Sequence, residues 1–248
     1  MKISIITVVY NGAITIKDSI DSVISQTYPD IEYIIVDGLS KDNTLDIVRS
    51  YGDKIAKVVS EKDKGIYDAM NKGIGLATGD VVAILNSDDF YANNHVIADV
   101  MKEFQKDSSV ECVYGDLEYV DQHDTTKIKR VWKSRPYRAG LFRTGWHPAH
   151  PSFFVKKSVY NAYGVFRLDL PIAADYELML RFLHVHKIKS VYIPGFMVKM
   201  REGGTSNKSI KNIYKANLEV LKSWRVNHRF VPYWIFVTKP LSKVMQMR

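Results

Sequence analysis

Hydrophobic positions in the first ninety residues follow two alternating rhythms. The segments ISIITVV (3–9), IEYIIVD (31–37), AKVVSE (56–61) and DVVAILN (80–86) are short, rich in β-branched residues and almost continuously apolar. Strands buried on both faces of a parallel sheet have this pattern, whereas strands with one wet face alternate. Between them the spacing lengthens. Ile16, Ile20, Val23 and Ile24 stand at i, i+4, i+7 and i+8, one face of a helix. SKDNTLDIVRSY offers Ser40 or Asp42 as a helix cap, and GIYDAMNKGIGLA makes a third helical segment that stops at Thr78-Gly79. Strand and helix in alternation imply right-handed crossovers and hence an α/β fold: a Rossmann-like, doubly wound, mostly parallel open sheet with flanking helices.

After residue 105 the rhythm is less regular. VECVYGDLEYVD and KIKRVWK read as strands, 134–172 is rich in Pro, Arg, Gly and aromatic residues, and DYELMLRFLHVH (175–186) is an amphipathic helix. KSVYIPG gives another strand, REGGTS (201–206) a loop, and a C-terminal helix covers about 207–224. The chain has no repeat, low-complexity tract or flexible linker, so the second half is expected to pack onto the first. No stretch approaches the length of about eighteen uncharged apolar residues that a membrane-spanning helix needs, and MKISIITVVYNG reads as a first strand rather than a secretory signal.

With 248 residues, 46% hydrophobic and 25% charged, the chain can bury a large core. Its one cysteine, Cys112, excludes an internal disulfide and a cysteine metal site, fits a reducing cytoplasm, and reads as a small core residue. Charge is unevenly placed. Residues 1–200 hold 25 Lys and Arg against 25 Asp and Glu, and residues 201–248 hold 10 against 2, so the net +8 sits in the last fifth of the chain. There the bases are interleaved with Tyr214, Trp224, Phe230, Tyr233, Trp234 and Phe236. Rings favour a membrane interface and bases favour anionic lipid heads, so this segment is expected to lie on the inner face of the cytoplasmic membrane. Pro232 and Pro240 cut it into pieces too short to span, which makes the attachment peripheral. The alternative is that these rings pack against the rest of the chain or against a second copy in a homo-oligomer.

Open α/β sheets bind ligands beyond the carboxyl ends of their strands. That rule singles out Tyr10-Asn11-Gly12, Asp37-Gly38, residues 61–64 and residues 86–89. In VAILNSDDF four apolar residues run into the adjacent carboxylates of Asp88 and Asp89. A divalent cation shared with a phosphate makes such a pair tolerable; an acidic turn that caps the next helix is the other reading. Acids and amides on four loops at one edge favour the first and argue against nucleic acid in the cleft.

SIITVVYNG, SQTYPDIEYIIVDGLSKDNT, GIYDAMNKGIGLATGDVVAILNSDDF and IAADYELMLRFL, in this order over residues 1–200, resemble the successive motifs of the inverting family 2 glycosyltransferases with the GT-A fold, of the bacterial polysaccharide-biosynthesis type. The resemblance implies a GT-A catalytic domain over 1–200, divided into a nucleotide-sugar-binding half (1–105) and an acceptor-binding half (106–200), followed by a basic aromatic C-terminal extension (201–248). It implies a UDP-sugar donor carrying a hexose or N-acetylhexosamine, a lipid-linked or oligosaccharide acceptor, and Mn²⁺ or Mg²⁺ held by Asp88 and Asp89. Val8, Tyr10, Asp37, Lys64, Asp88 and Arg201 would then bind the donor, with Tyr10 against the uracil ring and Asp37 accepting from the base. Lys64 would touch the diphosphate or the base edge, or be a solvated turn lysine; Arg201 of REGGTS would clamp the diphosphate, or close an ordinary turn. Asp175 matches the catalytic base, and His147 and His150 of GWHPAHPSFF match the acceptor site, unless they are satisfied loop residues. His184 and His186 read as structural or surface groups.

Two positions depart from the family pattern. The first acid of Asp-x-Asp is Asn86 here, and the second acid of Asp-Asp-Gly-Ser is Gly38. Among enzymes the rival is a sugar-phosphate nucleotidyltransferase, whose Gly-rich basic loop VVYNGAIT lacks; outside enzymes the rivals are a nucleotide-sugar-binding protein without turnover and a nucleic-acid binder suggested by the basic tail.

Overall fold

The computed structural model describes residues 1–203 and 210–235. Strands β1 (Ile3–Val9), β2 (Ile31–Asp37), β3 (Lys57–Ser60) and β4 (Val81–Ile84) pair in parallel in the order β3-β2-β1-β4. β1 and β4 are buried along their whole length. Ile3, Ile5 and Val9 serve one apolar cluster, and Ile6 and Val8 the cluster on the opposite face, which is why the runs are apolar at both parities. Helices α1 (Ile16–Ile24) and α4 (Val96–Lys106) cover the first face, and α3 (Ile66–Leu76) covers the second. The short α2 (Thr44–Arg49) begins after Asn43, later than the expected caps Ser40 and Asp42; Asp42 instead accepts from the Thr44 N–H at 3.1 Å. Near the amino end of β2 Glu32 is buried, which pushes its pKa up, but bonds from Ser4 Oγ and from the backbone and hydroxyl of Thr78 outweigh this and hold it at about 2.

The sheet continues past β4 with mixed directions. β8 (Phe153–Lys156) is antiparallel to β4, and β6 (Cys112–Val120) is antiparallel to β8. β9 (Ser190–Arg201) runs parallel to β6, β5 (Asp89–Tyr91) lies antiparallel on β9, and β7 (Ile128–Trp132) pairs with β6. Among the described residues the sheet therefore has nine strands, a parallel half and a mixed half. β5 and β8 are too short to show a periodicity, and β9 extends well beyond the expected KSVYIPG to reach Arg201.

The remaining helices are α5 (Lys157–Tyr163), α6 (Ala174–Met179), which continues as a π-helical stretch over Leu180–Val185, and α7 (Ile210–Val226). α7 packs on α6. Trp224, grouped above with the surface rings, is 1% exposed and donates its indole N–H to Tyr176 Oη at 3.0 Å. Tyr214, Phe230, Tyr233 and Trp234 are exposed. Phe236, Pro240 and residues 204–206 of the expected loop lie outside the described residues. Among the described residues no helix is long and apolar enough to cross a membrane. Cys112 is fully buried, and burial pushes its thiol pKa up.

Candidate functional site

The carboxyl ends of β1 to β4 meet along one edge through their loops. Asn11 adopts a left-handed conformation (φ 52°), which turns its side-chain oxygen onto the Lys41 N–H at 2.8 Å and its own N–H onto Ser40 Oγ at 2.8 Å. Gly12 donates to Thr44 Oγ1 at 2.9 Å, and a Cβ at this position would collide with Val9. Above these bonds Tyr10 stands 58% exposed. Val8 is buried in the core below, while Lys64 is exposed and its backbone N–H binds Asp68 Oδ2 at 2.9 Å. Asp37 is fully buried. Its carboxylate accepts from the Ser40 N–H at 3.1 Å and from Ser60 Oγ at 2.6 Å, lacing the loop after β2 to the end of β3.

Beyond β4, Asn86, Ser87 and Asp88 are half-buried and Asp89 turns inward as the first residue of β5. Asn86 donates to Asp89 Oδ2 at 2.8 Å, while Asp89 Oδ1 and Asn86 Oδ1 are buried without a hydrogen-bond partner. Burial, and after it the charge of Asp88, push Asp89 well above the usual carboxylate range. Arg201 ends β9 over this loop. It is 6% exposed, donates to the Asp88 carbonyl at 2.8 Å, pairs with Asp18 of α1, and lies 5.0 Å from the Phe90 ring centre. Among the described residues no three His, Cys, Asp or Glu side chains form a metal cage. The donor set of Asp88 with the two orphaned oxygens of Asn86 and Asp89 is all oxygen. It fits a hard cation such as Mg²⁺ or Mn²⁺, which takes one or two carboxylates and completes its shell with phosphates and water.

The second half contributes Asp175, at the start of α6. Its Oδ1 accepts from the Tyr176 N–H at 2.7 Å and lies 3.2 Å from the Tyr67 hydroxyl, which is also 3.0 Å from the Ile172 carbonyl. No bond to Oδ2 occurs among the described residues. Tyr67 comes from α3 and stacks on Phe166, ring centres 5.3 Å apart. Burial, followed by the Asp175 charge, raises the phenol well above its usual pKa, so it remains a donor. The turn before Asp175 is held from outside: Glu219 of α7 accepts from the Ile172 and Ala173 N–H groups at 2.8 and 2.9 Å.

His150 lies edge-on to Phe166 at 5.4 Å; burial lowers its pKa while the Asp175 charge opposes this. His147 sits apart. It is buried edge-on to Trp132 and Tyr176, at 5.0 and 5.3 Å, and its Nδ1–H donates to the Pro148 carbonyl at 2.8 Å. His184 and His186 pack on Trp224 and Tyr163. Tyr119 stacks on Trp132 and lies under the Arg130 guanidinium; burial raises its pKa to about 12 while Arg130 opposes this. Tyr67 and Glu219 escaped the sequence reading. Glu219 did leave a signal, as one of only two acids in the basic segment from 201 on.

The family described as glycosyl transferase family 2 matches residues 4–162, more than half of the chain. A PGL/p-HBAD biosynthesis glycosyltransferase of Mycobacterium tuberculosis is 27% identical, covering 99% of this chain and 94% of its own length. An uncharacterized glycosyltransferase of Rickettsia felis is 31% identical over 90% of this chain, which spans 37% of that relative. Among solved structures, S. aureus TarS 1-349 superposes with a TM-score of 0.67 at 18% identity, over 90% of this chain and 65% of that one. The mannosyltransferase PcManGT of Pyrobaculum calidifontis gives 0.66 at 18%, over 96% and 68%. The shared architecture is the GT-A fold of glycosyltransferases. With that fold and the family match running from β1 through the acidic loop to residue 162, the chain is a glycosyltransferase and belongs to glycosyl transferase family 2.

Proposed function

We propose that the chain transfers a hexosyl or N-acetylhexosaminyl group from a UDP-sugar, with inversion, to a lipid-linked or oligosaccharide acceptor during synthesis of a bacterial surface polysaccharide. The observation that carries this reading is the state of Asp175: one carboxylate oxygen is tied by Tyr67 and by the Tyr176 N–H, and the other is left for a substrate. A base held in that way takes the proton of an acceptor hydroxyl as the hydroxyl attacks the anomeric carbon opposite the leaving diphosphate. Direct displacement would turn an α-linked donor into a β-glycoside. Asp88, with the Asn86 and Asp89 oxygens, would hold Mn²⁺ or Mg²⁺, and the bound cation would offset the charge of the departing diphosphate.

On the donor side the exposed Tyr10 ring would lie against the base, and Lys64 and Arg201 would meet the phosphates. Arg201 already bonds the loop of Asp88, so exchanging Asp18 for a phosphate oxygen would bring it onto the donor. His150, kept neutral, would hydrogen-bond the acceptor. The comparisons support the donor and metal classes: TarS has been crystallised with UDP and with UDP-GlcNAc, and PcManGT with GDP-Man and Mn²⁺. We place the enzyme on the cytoplasmic face of the membrane, held peripherally by its C-terminal segment.

Release of nucleotide from a panel of nucleotide sugars, with Mn²⁺ or Mg²⁺ and with excess EDTA, tests the reading. Turnover confined to UDP-hexoses or UDP-N-acetylhexosamines and lost in EDTA is expected. Binding of these donors without release under any metal condition would make the protein a nucleotide-sugar-binding module instead.

A further inference from the structure

Base recognition in the crevice has a gap. Asp37, the acid expected to accept from the base, is fully buried and spends its oxygens on Ser40 and Ser60. The neighbouring position, where the family pattern has a second acid, is Gly38. Gly38 is outside the left-handed region, so the absence of a side chain there serves space rather than conformation. That space is filled. A Cβ on Gly38 would collide with Asp63 Oδ2 and would stand 3.6 Å from Tyr10 Cβ.

Asp63 belongs to the loop after β3, and its Oδ1 accepts from the Gly65 N–H at 2.8 Å, which fixes the side chain in an Asx turn. Oδ2 has no hydrogen bond or ion pair among the described residues, and Asp63 is only half-buried. A carboxylate oxygen thus lies over Gly38, beside the residue that carries the exposed Tyr10 ring.

We infer that Asp63 accepts the N–H of the donor's nucleobase, supplying from the loop after β3 the carboxylate that Gly38 lacks. A fixed carboxylate selects bases that present a ring N–H, which uracil does at N3 and guanine at N1, and disfavours cytosine, whose N3 carries no proton. The inference rests on the crevice being the nucleotide-sugar site. It also gives Gly38 a reason: a side chain at residue 38 would push the Asp63 carboxylate from the place it now occupies.

Calorimetric titration of the full chain with UDP, GDP and CDP in Mn²⁺ tests this. The wild type should bind UDP or GDP at least about tenfold tighter than CDP, and the two arms tell which base is read. Asp63→Asn keeps an oxygen for the Gly65 N–H and should weaken the preferred nucleotide about 10- to 100-fold while leaving CDP unchanged. The double variant Gly38→Asp with Asp63→Gly moves the acid to the neighbouring loop and should recover the preference. Wild-type-like affinity for the preferred nucleotide in Asp63→Asn, equal binding of CDP by the wild type, or no recovery in the double variant would overturn the role of Asp63 alone. Failure of the wild type to bind any of the three would remove the nucleotide site itself.

Discussion

The Tyr67 hydroxyl shares one oxygen of Asp175 with the Tyr176 N–H. The Tyr67 phenol is buried, stacked on Phe166 and aimed at Oδ1, so it limits rotation of the side chain without touching the oxygen left for substrate. Removing the hydroxyl alone leaves the stacking intact. Tyr67→Phe is therefore expected to lower kcat about tenfold, the worth of one hydrogen bond to a charged group, with unchanged affinity for the donor nucleotide and a melting temperature close to wild type. A purely structural tyrosine would instead lose thermal stability and donor affinity together, so steady-state kinetics beside a melting curve separate the two roles. The residue scale also explains the pair of acids at 88 and 89. Asp88 is half-buried in the loop while Asp89 is buried in β5, where burial and the charge of Asp88 favour its neutral form.

At the scale of elements, α7 divides its side chains between two tasks. Glu219, Trp224 and, just past its end, Asn227 bind the α6 segment, through the N–H groups before Asp175, the Tyr176 hydroxyl and Glu177. Ile213, Tyr214 and Leu218 remain exposed, as do Phe230, Tyr233 and Trp234 in the stretch after it. The same element that braces the turn before Asp175 thus borders an apolar surface in the most basic fifth of the chain. Bases near an anionic leaflet contribute about 1 kcal/mol each, so several together should give salt-sensitive attachment. In flotation, the full chain should rise with vesicles containing anionic lipid and remain behind with neutral ones, and replacing both Phe230 and Tyr233 by Asp should reduce recovery severalfold. Equal recovery on both lipids, or none lost in the double variant, would assign these rings to another contact.

Across the whole molecule, what was legible in the sequence is what repeats locally. Four continuous apolar runs and the helices between them define the parallel half, and the strand-end rule locates the loops of Tyr10, Asp37, Lys64 and Asp88. What was hidden depends on partners far apart in the chain. β5 is a strand only because β9 returns beside it, β8 enters between β4 and β6, and Tyr67 meets Asp175 across 108 positions. Burial likewise re-sorts residues of one type. Asp37 goes beneath the crevice while Asp63 stands at its wall, and His147 goes into an aromatic core while His150 stays near Asp175.

The proposed reaction would draw on both parts of the chain, and the claim that joins them is that Asp175 removes the proton. Measuring kcat for transfer together with the dissociation constant for UDP in Asp175→Asn tests it most directly. Asparagine keeps the shape and the bonds from Tyr67 and Tyr176 but has little basicity, so kcat should fall at least about 100-fold while UDP binds as in the wild type. Retained turnover, or a loss of UDP affinity that accounts for the whole defect, would contradict the account.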